Sequence, residues 1–246
     1  MARRNHTALL LESGNGRPVL LDAGEPVSRT LLERGVDVAK LDGVCISHGH
    51  SDHTGGLPML IQGMWLAKRT RPLDIWLPGE LILPLRAWLE AVYLGPAIVP
   101  FALVFHAWEA GKKTQVGDFA LTPFDSTHLD SLHEISGISD PDRFRAYGFV
   151  IEAEDSRLIW SADIGAPEDL APALQGGASL VVAEVAHFPS ADLFSILAPF
   201  PIGQVAVTHF PLDTPEFMQK LKREAAEILP VGMRFVAAHD GLTLTW

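Results

Sequence analysis

Short apolar runs alternate with amphipathic stretches along almost the whole chain of 246 residues. Apolar runs bounded by Gly, Pro, Asn or Asp are typical of buried strands. Two pairs of runs flank turn signals, at residues 13–16 and 154–156, and therefore predict hairpins. The predicted strands cover residues 7–12, 18–22, 44–46, 73–77, 101–105, 119–124, 147–153, 158–161, 180–183, 205–208, 234–237 and 242–245.

Longer stretches between these runs carry apolar residues at helical spacing. They predict helices over residues 26–34, 57–68, 80–92 and 216–229. In the last of these, Phe217, Leu221 and Ala225 recur every four positions and form one apolar face. The alternation favours an α/β fold in which two mixed sheets pack together with helices outside. No repeat, low-complexity tract or linker interrupts it, so we expect a single domain over residues 1–246.

Composition and charge narrow the range of functions. Hydrophobic residues make up 48% of the chain, which is enough for a sizeable core. No apolar run reaches the roughly 18 residues of a membrane span, and we expect no signal peptide. The single cysteine, Cys45, cannot form an internal disulfide and indicates a reducing, cytoplasmic location. The net charge of −11 disfavours polyanionic partners. Formation of a homodimer is left open by the sequence.

The strongest chemical signal is residues 47–56, Ser-His-Gly-His-Ser-Asp-His-Thr-Gly-Gly, directly after the apolar run 44–46. Imidazole and carboxylate groups are ligands that suit zinc, iron or manganese. His48 and His50 are two positions apart in a turn and are expected to point the same way. Asp52 and His53 lie one turn further on, within reach of a second ion. The spacing of these four residues therefore predicts that one loop supplies half of a two-metal site. Such a site is suited to displacement at a phosphoryl or acyl centre.

Further polar groups follow later apolar runs. His128, Asp163, Glu184 and His209 each stand where a predicted strand ends. Because α/β folds place their sites at the carboxyl ends of strands, we expect these groups to converge with the first cluster.

The order His-x-His-x-Asp-His at residues 48–53 resembles the signature of the metallo-β-lactamase fold superfamily. Within it, the chain is most similar to the ribonuclease Z branch, through Asp-Ala-Gly at 22–24, Ala-Tyr-Gly-Phe at 146–149 and Ala-His-Asp-Gly at 238–241. The resemblance implies a four-layer αβ/βα sandwich of two mixed β-sheets with outer helices.

The resemblance also implies which residues bind metal and which transfer a proton. It implies two divalent ions, with Zn²⁺ preferred and Mn²⁺ or Fe as alternatives. The implied ligands are His48, His50 and His128 for one ion, Asp52, His53 and His209 for the other, and Asp163 between them. His187 and Glu184 correspond to a histidine and glutamate that together donate a proton in that branch.

The chain departs from the ribonuclease Z pattern at several points. The Gly-Thr-Gly opening is absent, Phe188 and Pro189 replace a usual Ser-Thr, and no Gly-rich basic arm for tRNA is present. Residues 129–145 instead form an insert that contains His133. His133 is an alternative to His128 as a ligand, and we favour His128 because it directly follows a strand.

The expected function is a binuclear metal-dependent hydrolase, a phosphodiesterase that uses a metal-bridging hydroxide. Asp52 would bind metal and orient or accept a proton, while Glu184 would orient His187 to protonate the leaving oxygen. The expected substrate is a small anionic or ester compound, and precursor tRNA is not expected. Two alternatives stay open: a lactonase or other carboxylic-ester hydrolase on the same fold, and a non-catalytic metal-binding relative.

Overall fold

The computed structural model describes residues 4–246, and its first sheet is built from the amino-terminal half. Residues 1–3 lie outside the described residues. The predictions of one domain over residues 1–246 and of no signal peptide include these three residues. The sheet contains β1 (Leu9–Leu11), β2 (Val19–Leu21), β3 (Gly43–Cys45), β4 (Leu73–Leu77) and β5 (Leu103–Ala107), in chain order. β1 and β2 are antiparallel, whereas the later neighbours are parallel.

The second sheet has seven strands, again ordered as in the chain. They are β6 (Thr114–Val116), β7 (Phe119–Ser126), β8 (Ala146–Ala153), β9 (Ser156–Trp160), β10 (Ala178–Glu184), β11 (Ile202–Thr208) and β12 (Arg234–Ala237). The first four form an antiparallel meander, and β9 to β12 are parallel. Both sheets are therefore mixed, as predicted.

Most of the helices connect parallel strands and cover the outer faces of the sheets, whereas α5 lies between the antiparallel strands β7 and β8. They are α1 (Val27–Glu33), α2 (Ser51–Thr54), α3 (Leu57–Leu66), α4 (Ile82–Ala91), α5 (Ser131–Ser136), α6 (Ala171–Leu174), α7 (Ser190–Leu197) and α8 (Pro215–Ile228). Short 3₁₀ helices occur at Val38–Lys40, Gly79–Leu81 and Pro167–Leu170. In residues 4–246 the longest helix, α8, has 14 residues, and none combines the length and apolarity that crossing a bilayer requires.

Three apolar clusters define four layers. Cys45, Phe149 and Trp160 belong to the cluster between the two sheets. A second cluster packs α1, α3 and α4 on the first sheet, and a third packs α7 and α8 on the second, with Phe194 and Leu221 fully buried. Strands buried on both faces read as continuous apolar runs, which is why the pattern predicted them. The predicted αβ/βα sandwich is confirmed.

The predicted strand 242–245 is wrong. Leu242 donates its N–H to His239 O at 3.0 Å, and the segment that follows has no regular structure. Leu244 and Trp246 pack against the cluster between the sheets. These two side chains are partly buried, the segment packs on the core instead of joining the sheet, and β12 remains the outer strand.

Candidate metal centre

The candidate ligands lie on loops that follow the carboxyl ends of strands in both sheets. The loop after β3 carries His48 and His50, and α2 begins directly behind His50. His50 has extended backbone (φ −62°, ψ 148°), and its carbonyl accepts a hydrogen bond from Thr54 Oγ1 at 3.0 Å. This local turn places Asp52 in the first turn of α2 and His53 behind it. His128, Asp163 and His209 follow β7, β9 and β11.

Three imidazoles form a first cluster. His50 Nδ1 lies 3.1 Å from His48 Nε2 and 3.1 Å from His128 Nε2. Nitrogens that share a tetrahedral zinc ion at ordinary Zn–N distances are roughly 3.3 Å apart, so this spacing fits one ion. Burial lowers the pKa of His48 well below its usual value and lowers the pKa of His128 to about 4. Both rings are therefore neutral near pH 7 and can offer a lone pair.

A second cluster contains two carboxylates and two imidazoles. Asp163 Oδ2 lies 3.4 Å from His53 Nε2 and 3.7 Å from His209 Nε2, and Asp52 Oδ2 lies 3.8 Å from His53 Nε2. Asp163 Oδ2 is also 3.7 Å from His128 Nε2, in the first cluster. One buried carboxylate therefore stands between the two groups, where it could bridge two ions.

Unsatisfied polar atoms test whether this site suits a metal. His53 Nε2 and Asp163 Oδ1 are both buried, and neither has a hydrogen-bond partner within the described part of the chain. Burial would lower the pKa of His53, but Asp22 and Asp163 outweigh it and raise that pKa to about 10. Burial would raise the pKa of Asp163, yet the facing histidines hold it well below its usual value. Buried anionic and imidazole groups aimed at one point fit divalent cations.

Asp22 supports the site from beneath. It is fully buried and accepts hydrogen bonds from Ser47 N and Ser47 Oγ, both at 2.8 Å, and from His53 Nδ1 at 2.5 Å. Ser47 Oγ in turn lies 3.0 Å from His48 Nδ1. These contacts occupy the Nδ1 atoms and leave both Nε2 atoms free to bind metal, as outer-sphere partners of metal sites do.

Two further supporting side chains were not predicted. Thr7 Oγ1 lies 3.2 Å from His209 Nδ1, and His209 itself has a left-handed backbone (φ 48°). Ser126 Oγ donates to Asp163 O at 2.8 Å and accepts from His128 N at 3.1 Å. In the sequence, Ser126 was only one of the polar residues that precede His128, two positions away from it. Thr7 gave no signal because it lies inside a predicted strand.

Glu184 and His187 form a hydrogen-bonded pair at the rim. Glu184 is fully buried, and its oxygens accept from Ile164 N and Ala186 N at 2.9 Å each. His187 Nδ1 donates to Glu184 at 2.6 Å, and its ring centroid lies 4.5 Å from that of His128. The hydrogen bond that His187 donates to Glu184 raises the pKa of His187. The pair therefore places beside the first cluster an imidazole whose protonated form is favoured by a buried carboxylate.

The structure separates the two rival histidines. His128 joins the first cluster, whereas His133 lies in α5 and donates from Nδ1 to Ile138 O at 2.9 Å. The geometry thus brings together all seven predicted ligands and leaves His133 outside. Three groups of side chains have ligand atoms close enough together to hold a metal ion. The first is His48, His50 and His128, and the second is Asp52, His53, Asp163 and His209. The third is His128, Asp163, Glu184 and His187.

The fold and this donor set define a protein of the metallo-β-lactamase type. The sequence profile of the beta-lactamase superfamily domain matches residues 17–232, and the chain belongs to that family. This membership confirms the prediction that the chain is an enzyme of the metal-dependent hydrolase class.

Similarity to individual proteins points to the ribonuclease Z branch. The chain is 27% identical to a ribonuclease Z from Bradyrhizobium sp. (strain ORS 278), across 80% of this chain and 72% of that protein. It is 29% identical to the Bradyrhizobium diazoefficiens ribonuclease Z, where the match spans about half (52%) of that protein. The predicted resemblance is confirmed.

Solved structures share the same fold at low identity. The metallo-beta-lactamase fold protein YhfI from Bacillus subtilis has a TM-score of 0.77 at 19% identity, covering 98% of this chain and 92% of that one. The short form of human tRNase Z has a TM-score of 0.72 at 16% identity, covering 100% and 94%.

Proposed function

We propose that this protein is a binuclear metal-dependent hydrolase that cleaves small phosphodiesters. The observation that carries the proposal is the position of Asp163 Oδ2, within 3.7 Å of ligand nitrogens from both clusters. A carboxylate shared in this way suits a two-metal site. We assign one ion to His48, His50 and His128, and the other to Asp52, His53 and His209, with Asp163 shared. Zn²⁺ is the preferred metal, since the first set is all imidazole.

Divalent ions at these ligands would supply a water nucleophile of lowered pKa and a Lewis acid for the scissile oxygen. The surrounding side chains fix the geometry of that chemistry. Asp22 and Ser47 hold His53 and His48 in the tautomers that leave Nε2 for metal. Asp52 is the more exposed carboxylate of the second cluster, at 35% of its side chain, and we assign it the role of accepting the proton of the nucleophile.

His187 would donate a proton to the leaving oxygen. It is partly exposed at the rim, and Glu184 holds it by hydrogen bonds from Nδ1 to both carboxylate oxygens, at 2.6 and 2.8 Å. The buried carboxylate orients the ring and favours its protonated form. A phosphodiester with a poor leaving group needs such a donor, because an alkoxide leaves slowly without a proton. A lactone opened by the same site would depend less on His187.

Charge supports a small substrate over precursor tRNA. The chain carries −11, and residues 129–145 beside the site hold four carboxylates against two guanidiniums. Binding an RNA backbone draws on several Lys or Arg contacts, each of which adds salt-sensitive affinity. The relatives named ribonuclease Z support cleavage of a phosphodiester, while the missing basic arm argues against tRNA. A cytoplasmic location is part of this proposal.

The test is a substrate panel run on zinc-loaded protein. We expect hydrolysis of bis-p-nitrophenyl phosphate that disappears on chelation and returns with Zn²⁺, and no cleavage of a precursor tRNA at matched enzyme concentration. Hydrolysis of lactones without any diesterase activity would place the protein in the carboxylic-ester class. Tight metal binding with no turnover of diesters, lactones or thioesters would support a non-catalytic relative.

A further inference from the structure

A single carboxylate anchors the insert 129–145 to the first half of the molecule. Glu80 Oε2 accepts the backbone N–H of Phe144 at 2.8 Å, and Oε1 accepts that of Arg145 at 2.8 Å. Arg143 Nε lies 3.1 Å from Glu80 Oε2. Only 8% of the Glu80 side chain is exposed, so water competes poorly for these bonds.

The backbone of the insert is shaped to fit this anchor. Phe144 has a left-handed conformation (φ 57°), which is uncommon for a residue with a large side chain. Successive N–H groups around a left-handed residue can converge on one anion, and here the anion is the Glu80 carboxylate. A strained conformation of this kind persists only where surrounding contacts hold it. We therefore expect the end of the insert to depend on Glu80.

Glu80 is adjacent to the metal loop. It belongs to the 3₁₀ helix Gly79–Leu81, which follows β4, the neighbour of β3 in the first sheet. Leu81 packs on Gly49, between the ligands His48 and His50: a Cβ atom at Gly49 would lie 3.1 Å from Leu81 Cδ2. The element that anchors the insert therefore also touches the loop that carries the first cluster.

The insert begins and ends at the metal centre. It starts directly after the ligand His128 and ends before Tyr147, whose N–H donates to Ser47 O at 3.1 Å. Between these points Phe144 stands edge-on to His133, with ring centroids 5.1 Å apart. The insert thus leaves the site at one ligand and returns beside another. Both ends of the insert are therefore tied to residues of the metal centre.

We propose that Glu80 is a positioning residue that holds this insert as a wall of the substrate site and limits the size of the group accepted there. The inference rests on the proposed hydrolase function and assigns a determinant of its specificity. Without the carboxylate, the N–H groups of Phe144 and Arg145 lose their acceptor, and the wall moves away from the metal loop.

The experiment compares wild type with Glu80→Ala, Glu80→Gln and the control Glu90→Ala, which removes an exposed carboxylate at the end of α4. Two diesters with the same leaving group report size selection: methyl p-nitrophenyl phosphate and thymidine 5′-p-nitrophenyl phosphate. Trypsin reports the position of the insert, because it cleaves after Arg143 and Arg145. Metal content and circular dichroism verify that each variant folds.

We expect wild type and Glu90→Ala to prefer the methyl diester by the same factor. Glu80→Ala should reduce that preference at least fivefold, mainly through KM of the larger substrate, and should raise the rate of trypsin cleavage in the insert about tenfold. Glu80→Gln keeps one acceptor oxygen, so its substrate preference and its rate of trypsin cleavage should lie between those of wild type and Glu80→Ala. An unchanged preference overturns the proposal, even if trypsin cleavage is faster.

Failure of the proposed function gives a different result. If wild type hydrolyses neither diester, the same ratio is measured with small and large p-nitrophenyl carboxylic esters, and the role of Glu80 is judged on that ratio. A protein that hydrolyses none of the four compounds overturns both proposals.

Discussion

Asp22 lies beneath His53, with its Oδ2 atom 2.5 Å from His53 Nδ1, and both side chains are fully buried. The contact keeps the proton of Nδ1 on the Asp22 side, so Nε2 is the nitrogen that gives up its proton to bind metal. Asp22→Asn weakens this control, because an amide can present its NH₂ group to the ring. We expect a 10- to 100-fold loss of metal affinity, the range typical of outer-sphere changes, measured by competition with a chromogenic chelator. An affinity equal to that of wild type would contradict the role of Asp22.

Proton release on metal binding should differ between the two ions. His48 and His128 have lowered pKa values and are neutral at pH 7, so the first cluster binds metal without releasing protons from them. His53 has its pKa raised to about 10 and is protonated at pH 7, so the second ion must displace that proton. Affinity for the second ion should therefore rise with pH up to about 10. Titration calorimetry in buffers of different ionisation enthalpy counts the protons.

Metal stoichiometry tests the shared carboxylate. We expect about two ions per chain in wild type and about one or fewer in Asp163→Ala, because the variant removes a ligand from both positions. Asp155→Ala, at an exposed hairpin turn, is the matched control and should keep both ions. Elemental analysis after metal loading and desalting gives the count. Two ions retained by Asp163→Ala would refute the bridging assignment.

The two rival histidines are tested in parallel. His128→Ala removes a nitrogen 3.1 Å from His50 Nδ1 and should lose metal from the first cluster together with activity. His133→Ala removes a hydrogen bond within the insert and should keep full metal content. Metal analysis and turnover of bis-p-nitrophenyl phosphate distinguish them. The opposite pattern would assign His133 as the ligand.

His187 should matter most for substrates with poor leaving groups. The donor acts only when protonated, and Glu184 raises its pKa, so the rate on alkyl diesters should stay high through neutral pH and fall as pH rises past that pKa. His187→Ala should reduce this rate about 100-fold or more and remove the alkaline decline. Its effect on p-nitrophenyl diesters should be small, since that anion leaves without a proton. Equal losses on both substrates would instead indicate a structural role.

The parts of the site predicted from sequence are those in which neighbouring residues act together. His48, His50, Asp52 and His53 lie within six consecutive positions, so local spacing alone suggested a metal loop. Asp163 and His209 could be suggested only as polar groups at strand ends and by resemblance.

The unpredicted contacts join distant residues. Thr7 and His209 are 202 positions apart, and Ser126 and Asp163 are 37 apart, so only the topology brings them together. β6 was missed because its three residues, Thr-Gln-Val, form an edge strand and carry little apolar pattern. Segment 242–245 has a strand-like composition, but composition does not show that Leu244 packs against the cluster between the sheets while the segment stays outside the sheet.

The candidate ligands come from both layers of strands: His48, His50, Asp52 and His53 follow the first sheet, while His128, Asp163 and His209 follow the second. Ions bound there would cross-link the two halves of the sandwich. Binding to the folded state alone adds to the free energy of unfolding, by about 1.4 kcal/mol for each tenfold increase in free metal above the dissociation constant. The unfolding temperature of this protein would then depend on the metal supply around it, and metal starvation would lower its abundance as well as its activity.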